Sequence, residues 1–174
     1  FLESREGDSE FIDSVKNSSS LVVLGSKLIE DQILKSVYLT QGVANARSGF
    51  VNFSPDSDGK IRNSKLWSNV KGQCELNLSL ALVAEYFSLD QNKLCTDTIT
   101  LRNNYYSLDI NQSLRFSYTK QGFKYISFVD LLNDSLDKEI FKDKIVLIGS
   151  TALDLHSELN DNFTDIFGST ISGV

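Results

Sequence analysis

Leu21-Val22-Val23-Leu24-Gly25-Ser26 has a near copy late in the chain, Ile145-Val146-Leu147-Ile148-Gly149-Ser150, and these two runs decide the expected fold. Four consecutive branched or aliphatic residues leave no polar face, so each run reads as a central strand buried on both sides. Glycine then turns the chain out of the strand.

Ahead of the first run, Phe11, Ile12 and Val15 recur at helical spacing behind Asp8, a candidate N-cap, and residues 17–20 break the pattern. After it, residues 48–53 alternate weakly, 54–59 carry turn chemistry and 60–67 return as an extended piece, giving strand, turn and strand. Leu76, Leu80, Val83, Ala84 and Phe87 follow i, i+4, i+7, i+8 spacing with good helix formers between them, which predicts a helix. Residues 98–101, 105–110 and 114–118 alternate around Arg102-Asn103-Asn104, which predicts a β-meander. Together these imply an α/β class of mixed α+β type: a central mixed sheet with buried parallel strands, flanking helices and an antiparallel β-meander. With 174 residues, no internal repeat and no low-complexity linker, the expectation is a single domain over residues 1–174.

A formal charge of −6 makes the chain repel phosphate backbones, which excludes general nucleic-acid binding. The apolar stretches fall short of the roughly 20 residues that a membrane-spanning helix needs. No Met occurs and the first residue is Phe1, so the chain reads as an excised piece, truncated at both ends, whose parent can carry a leader or an anchor.

The matching strand ends supply the candidate site. In open α/β sheets ligands sit beyond the carboxyl ends of parallel strands, where Ser26, Ser150 and Thr151 would line a crevice. The competing reading is that Gly25 and Gly149 only make turns and the serines cap the next segment. Asp56-Ser57-Asp58-Gly59 imitates a calcium loop, but with these residues in register the twelfth position is Lys65, where a bidentate Glu is required, so a tight turn is the better account. His156, the one histidine, stands among Glu158, Asp161 and Asp165, either as a binding or general-base residue or as a surface residue. Neither Ser150 nor Cys95 lies in a nucleophile elbow, so no catalysis, metal or cofactor is expected. Cys74 and Cys95 with one His cannot complete a four-ligand zinc site. A disulfide and two unpaired thiols remain the alternatives.

The tail Phe141-Lys142-Asp143-Lys144-Ile145-Val146-Leu147-Ile148-Gly149-Ser150-Thr151-Ala152, running on to Phe167-Gly168 and Ser172-Gly173-Val174, resembles the closing motif of the second type of CHASE domain. Gly7-Asp8, Gly49-Phe50, Asp58-Gly59-Lys60-Ile61-Arg62, the helix at 78–87, Phe116-Ser117-Tyr118 and Val129-Asp130-Leu131-Leu132 match at the level of pattern. The resemblance implies an extracytoplasmic sensory domain of a bacterial transmembrane receptor, facing the periplasm or cell exterior and relaying a stimulus to a cytoplasmic histidine kinase, nucleotide cyclase or diguanylate cyclase. It implies no enzyme, a membrane-anchored parent chain, an unidentified small-molecule or protein stimulus, and a homodimer as one mode of transmission. An extracytoplasmic setting favours the Cys74 to Cys95 disulfide. Members often carry Asp near Ser157 and Thr-Pro where this chain has Thr164-Asp165, so the loop 154–168 is expected to differ in shape or ligand. The alternative is a stand-alone secreted α/β hydrolase, using Ser150 or His156, or a secreted small-molecule binding protein.

Overall fold

β1 (Val22–Ile29) is the middle strand of a three-stranded sheet ordered β2-β1-β3. Its Val, Leu and Ile content suits a pleated surface covered on both sides. β2 (Gln32–Leu34) pairs with it antiparallel, and β3 (Ala46–Phe50) parallel, with Val22 opposite Ala46 and Ser26 opposite Phe50. The computed structural model describes residues 6–29, 32–34, 46–117, 124–149, 163–164 and 170–171, and these fall into two compact units, Phe1–Phe116 and Ser117–Val174. Mixed helices and strands in several small sheets make the chain an α/β protein of mixed type.

The strand does not end at Gly25-Ser26 as expected; it runs on to Ile29. Gly25 is tolerated mid-strand, since a Cβ there would stand 3.2 Å from Val51 Cγ1, a side-chain atom that can give. Beyond β3 the Asn52 amide continues the ladder in place of backbone: Oδ1 accepts from Leu28 N at 2.7 Å and Nδ2 donates to Leu28 O at 2.8 Å. On one face of the sheet lies α1 (Asp8–Asn17), whose Ile12 and Val15 bury against Ala46 with Val22 beside them. Its N-cap is Gly7 at φ 91°, not Asp8, which is the first helical residue, where a carboxylate suits the positive end of the helix.

The rest of the first unit is built from two-stranded pieces around a helix. β4 (Asn63–Lys65) pairs antiparallel with β9 (Ser113–Arg115), β5 (Trp67–Val70) with β6 (Gln73–Leu76), and β7 (Thr98–Leu101) with β8 (Asn104–Ser107). Lys71 and Gly72, both at positive φ, make the two-residue turn between β5 and β6, matching the twist of the flanking strands. The expected meander is thus a hairpin, β7–β8, with the third strand taken by β4 because a partner nearer in space outcompetes the neighbour in sequence. α2 (Leu78–Tyr86) carries Leu80, Ala81 and Ala84 into the main core with Leu76, Leu94 and Ile99. Leu76 belongs to β6, so the helical pattern begins after it.

In the second unit the described residues form α3 (Phe128–Leu132), a 3₁₀ turn at Lys138–Phe141 and the short pair β10 (Phe163–Thr164) and β11 (Thr170–Ile171). Among the described residues the expected second central strand does not form. Residues 145–148 are in no strand, and Leu147 and Ile148 are 69% and 75% exposed. Strand composition describes a fit to neighbouring strands rather than a backbone preference of its own, and among the described residues this run has no ladder partner.

Candidate functional site

Of the four candidate site residues, three expected at a crevice and His156 beside them in sequence, only Ser26 lies in the described structure. Ser26 sits mid-strand in β1, 5% exposed, its carbonyl accepting from Val51 N at 2.9 Å. It is on the α1 face, in register with Phe50, rather than at the carboxyl end of the strand where the expectation placed it. Ser150, Thr151 and His156 lie outside the described residues.

The Asp56 to Gly59 segment is a tight turn closed on an arginine. Asp56 N donates to Lys60 O at 2.8 Å and Gly59 N to Asp56 O at 2.9 Å. Arg62 reaches back, its Nη1 2.7 Å from Asp56 Oδ2 and its Nη2 2.7 Å from Asp58 Oδ2. These hydrogen bonds from Arg62 draw the Asp58 carboxyl down to about 2 and push the guanidinium up in turn. The oxygens that a cation would need are engaged by this fork, and no metal-binding cluster occurs among the described residues.

A crevice opens instead between β3 and β6. Residue Asn77, directly after β6, meets Phe50, at the end of β3, in a single parallel bridge, and among the described residues no other ladder pair joins the two segments. Into the gap open Ala46, Arg47 and Ser48 of β3, Cys74, Glu75 and Leu76 of β6, and Gln91 of the 3₁₀ turn Gln91–Lys93, around a cavity of about 320 Å³. That volume is at the small end of the roughly 300–1,000 Å³ usual for ligand pockets.

Strand alternation sorts the lining by face. Ala46 packs with α1, so Ser48 shares that side; Arg47 points the other way and pairs with Glu85 of α2, Nε to Oε1 at 3.4 Å. Cys74 and Leu76 pack in the core beneath α2, which leaves Glu75 on the α1 side. Gln91 Nε2 donates to Glu85 Oε1 at 3.1 Å and so stands with Arg47. The gap therefore has a guanidinium and an amide at one mouth and a carboxylate with a hydroxyl at the other.

Two features hold the walls. Gly49 lets the start of α2 press on β3: a Cβ there would lie 2.5 Å from Leu78 Cα and 2.6 Å from Leu78 N. A disulfide joins Cys74 to Cys95, with Cα atoms 6.2 Å apart, tying β6 to the chain just past the 3₁₀ turn that carries Gln91. Sequence reasoning missed Arg47, Ser48, Glu75 and Gln91, because single polar residues on three separate elements make no motif; the Phe50 to Asn77 bridge that gathers them is legible only in three dimensions.

A family model described as the CHASE2 domain matches residues 1–174. No curated protein and no solved structure matches the chain.

Proposed function

Because the chain belongs to the CHASE2 domain family, whose members are extracytoplasmic sensory domains, we propose that it is the input module of a bacterial transmembrane receptor. It lies on the outer side of the inner membrane and relays its stimulus to a cytoplasmic kinase or cyclase. The observation that carries this reading is the family match over the whole of residues 1–174. The Cys74 to Cys95 disulfide supports it, since such bonds persist in oxidising compartments. So does the crevice, which has polar groups for recognition. No helix among the described residues is long and apolar enough to cross a membrane. In this reading the parent chain is membrane-anchored, and the stimulus acts by favouring one arrangement of the domain, to an extent set by its differential binding energy.

The test uses the complete reading frame. Alkaline phosphatase, which is active only after export, inserted directly after Val174 is expected to give activity in intact cells; a silent fusion in a stably expressed protein overturns the placement. Deletion of residues 1–174 from the receptor is expected to abolish the stimulus-dependent change in kinase or cyclase output while leaving a basal output.

A further inference from the structure

We propose that Asn111 is an attachment site for an N-linked oligosaccharide, transferred to the folded domain from a lipid-pyrophosphate-linked sugar donor. The site rests on the extracytoplasmic reading of the domain, since this modification belongs to exported chains. Asn111-Gln112-Ser113 is an acceptor tripeptide of the Asn-x-Ser kind, which is modified where it stands on a surface loop. It lies in the turn that leads from β8 into β9, where Asn111 is exposed and Ile110 beside it is 93% exposed. The turn is built on Asp109, whose Oδ1 accepts from Asn111 N and from Ser113 N, both at 2.8 Å, while Gln112 N donates to Asp109 O at 3.0 Å. These bonds use backbone groups, and the Asn111 side-chain amide makes no hydrogen bond among the described residues. The Ser113 hydroxyl turns back to within 3.5 Å of Asn111 O, so the amide and the hydroxyl that a transferase must engage together stand in one short, fixed turn.

The chain holds the same tripeptide pattern at Asn17, Asn52, Asn77, Asn133 and Asn162, and the structure sets Asn111 apart from those it describes. Asn77 is 5% exposed and spends its amide on capping α2 and on Ser64. The Asn52 amide is spent on both backbone groups of Leu28. Asn17 is the last residue of α1 and Asn133 the C-cap of α3, where the Ser135 hydroxyl donates to Asp130 O at 2.8 Å. Asn162 lies outside the described residues. The transfer at Asn111 is a substitution with no change of oxidation state. Nδ2 attacks the anomeric carbon of the donor, an N–C bond forms as the C–O bond to the pyrophosphate breaks, the lipid pyrophosphate leaves with the electron pair, and one amide proton passes to a base of the transferase.

Peptide mass spectrometry of the complete receptor, purified from the membranes of its own cells, tests the site. Trypsin cuts after Arg102 and Arg115, which places Asn111 in one peptide, residues 103–115. That peptide is expected to carry an added mass that fragments into sugar units and maps to Asn111, while the peptides holding Asn52 and Asn77 keep their unmodified masses. Ser113→Ala, which keeps the asparagine and removes the hydroxyl, is expected to abolish the added mass, and Ser113→Thr to retain it. Each variant is read in protein recovered from the membrane at the wild-type level, so that loss of the sugar is not loss of the fold. Should Ser113→Ala fail to accumulate, Asn111→Gln, at an exposed side chain that holds nothing else, is expected to abolish the added mass as well. Peptide 103–115 found only unmodified, or an added mass that survives Ser113→Ala, overturns the assignment. An unmodified peptide together with an active phosphatase fusion removes the sugar site and leaves the sensory reading, whereas an unmodified peptide with a silent fusion removes both.

Discussion

At the scale of single residues, charge and space each set one sharp expectation. Hydrogen bonding from Arg62 holds the Asp58 carboxyl at about 2, below its ordinary 3.8. Since the folded value is the lower, the stabilisation is fully present above the unfolded value and is lost as pH falls from 3.8 toward about 2. Asp58→Asn is expected to lower the urea midpoint at neutral pH, by a small amount because the pair is solvent-screened, with the gap to wild type closing across that acid window. A gap that stays constant down to the acid limit would show that the ion pair is not its cause. Gly49 is a matter of space. An added methyl meets backbone of Leu78 at 2.5 Å and of Asn77 at 2.8 Å, atoms that cannot rotate away, so Gly49→Ala is expected to cost about 1–3 kcal/mol by urea denaturation. Gly25→Ala meets only a side-chain methyl at 3.2 Å and is expected to cost less.

At the scale of elements, α2 depends on its first turn. Asn77 is 5% exposed; its Oδ1 accepts from Leu80 N at 2.7 Å and its Nδ2 donates to Ser64 Oγ at 3.0 Å, so one side chain caps the helix and ties it to β4. Asn77→Ala removes a cap and strands a buried N–H, for an expected loss of about 1–3 kcal/mol in equilibrium unfolding. Asn77→Asp, which keeps the accepting oxygen, is expected to recover part of it; equal loss in both would assign the effect to Ser64 rather than to the cap. Local signals explain which elements were legible. Val22 to Leu24 and the 3.6-residue spacing of Leu80 and Ala84 specify strand and helix from the chain alone. The run at 145–148 is as branched and apolar as residues 21–24 yet forms no strand, because a ladder needs a partner that composition does not name. The pairing of β9 with β4 and the crevice residues Arg47, Glu75 and Gln91 depend in the same way on contacts distant in sequence. Ser150, Thr151 and His156 lie outside the described residues, while Gly25-Ser26, which the sequence places at the close of the strand, lies inside β1, because the strand continues to Ile29.

At the scale of the whole molecule, the buried apolar residues among those described, from Ile12 to Ile99, all fall in the unit Phe1–Phe116. The larger cluster joins Leu76, Leu80, Ala81, Ala84, Leu94 and Ile99, with Cys74 and Cys95 packed against it. The disulfide adds covalent closure to this packing. The disulfide spans a sequence separation of 21, which in the chain-entropy treatment restricts the unfolded state by roughly 3 kcal/mol. Replacement of both cysteines by serine is therefore expected to lower the unfolding free energy by about that amount, read from urea titrations of oxidised wild type and the double variant. Dithiothreitol should bring wild type to the midpoint of the variant and leave the variant unmoved. Because the bond also tethers β6 beside the 3₁₀ turn that carries Gln91, reduction should loosen one wall of the crevice at temperatures where the protein stays folded. Full stability after double replacement would mean that packing around Leu76 and Leu94 alone holds this wall, and the crevice would then be indifferent to redox state.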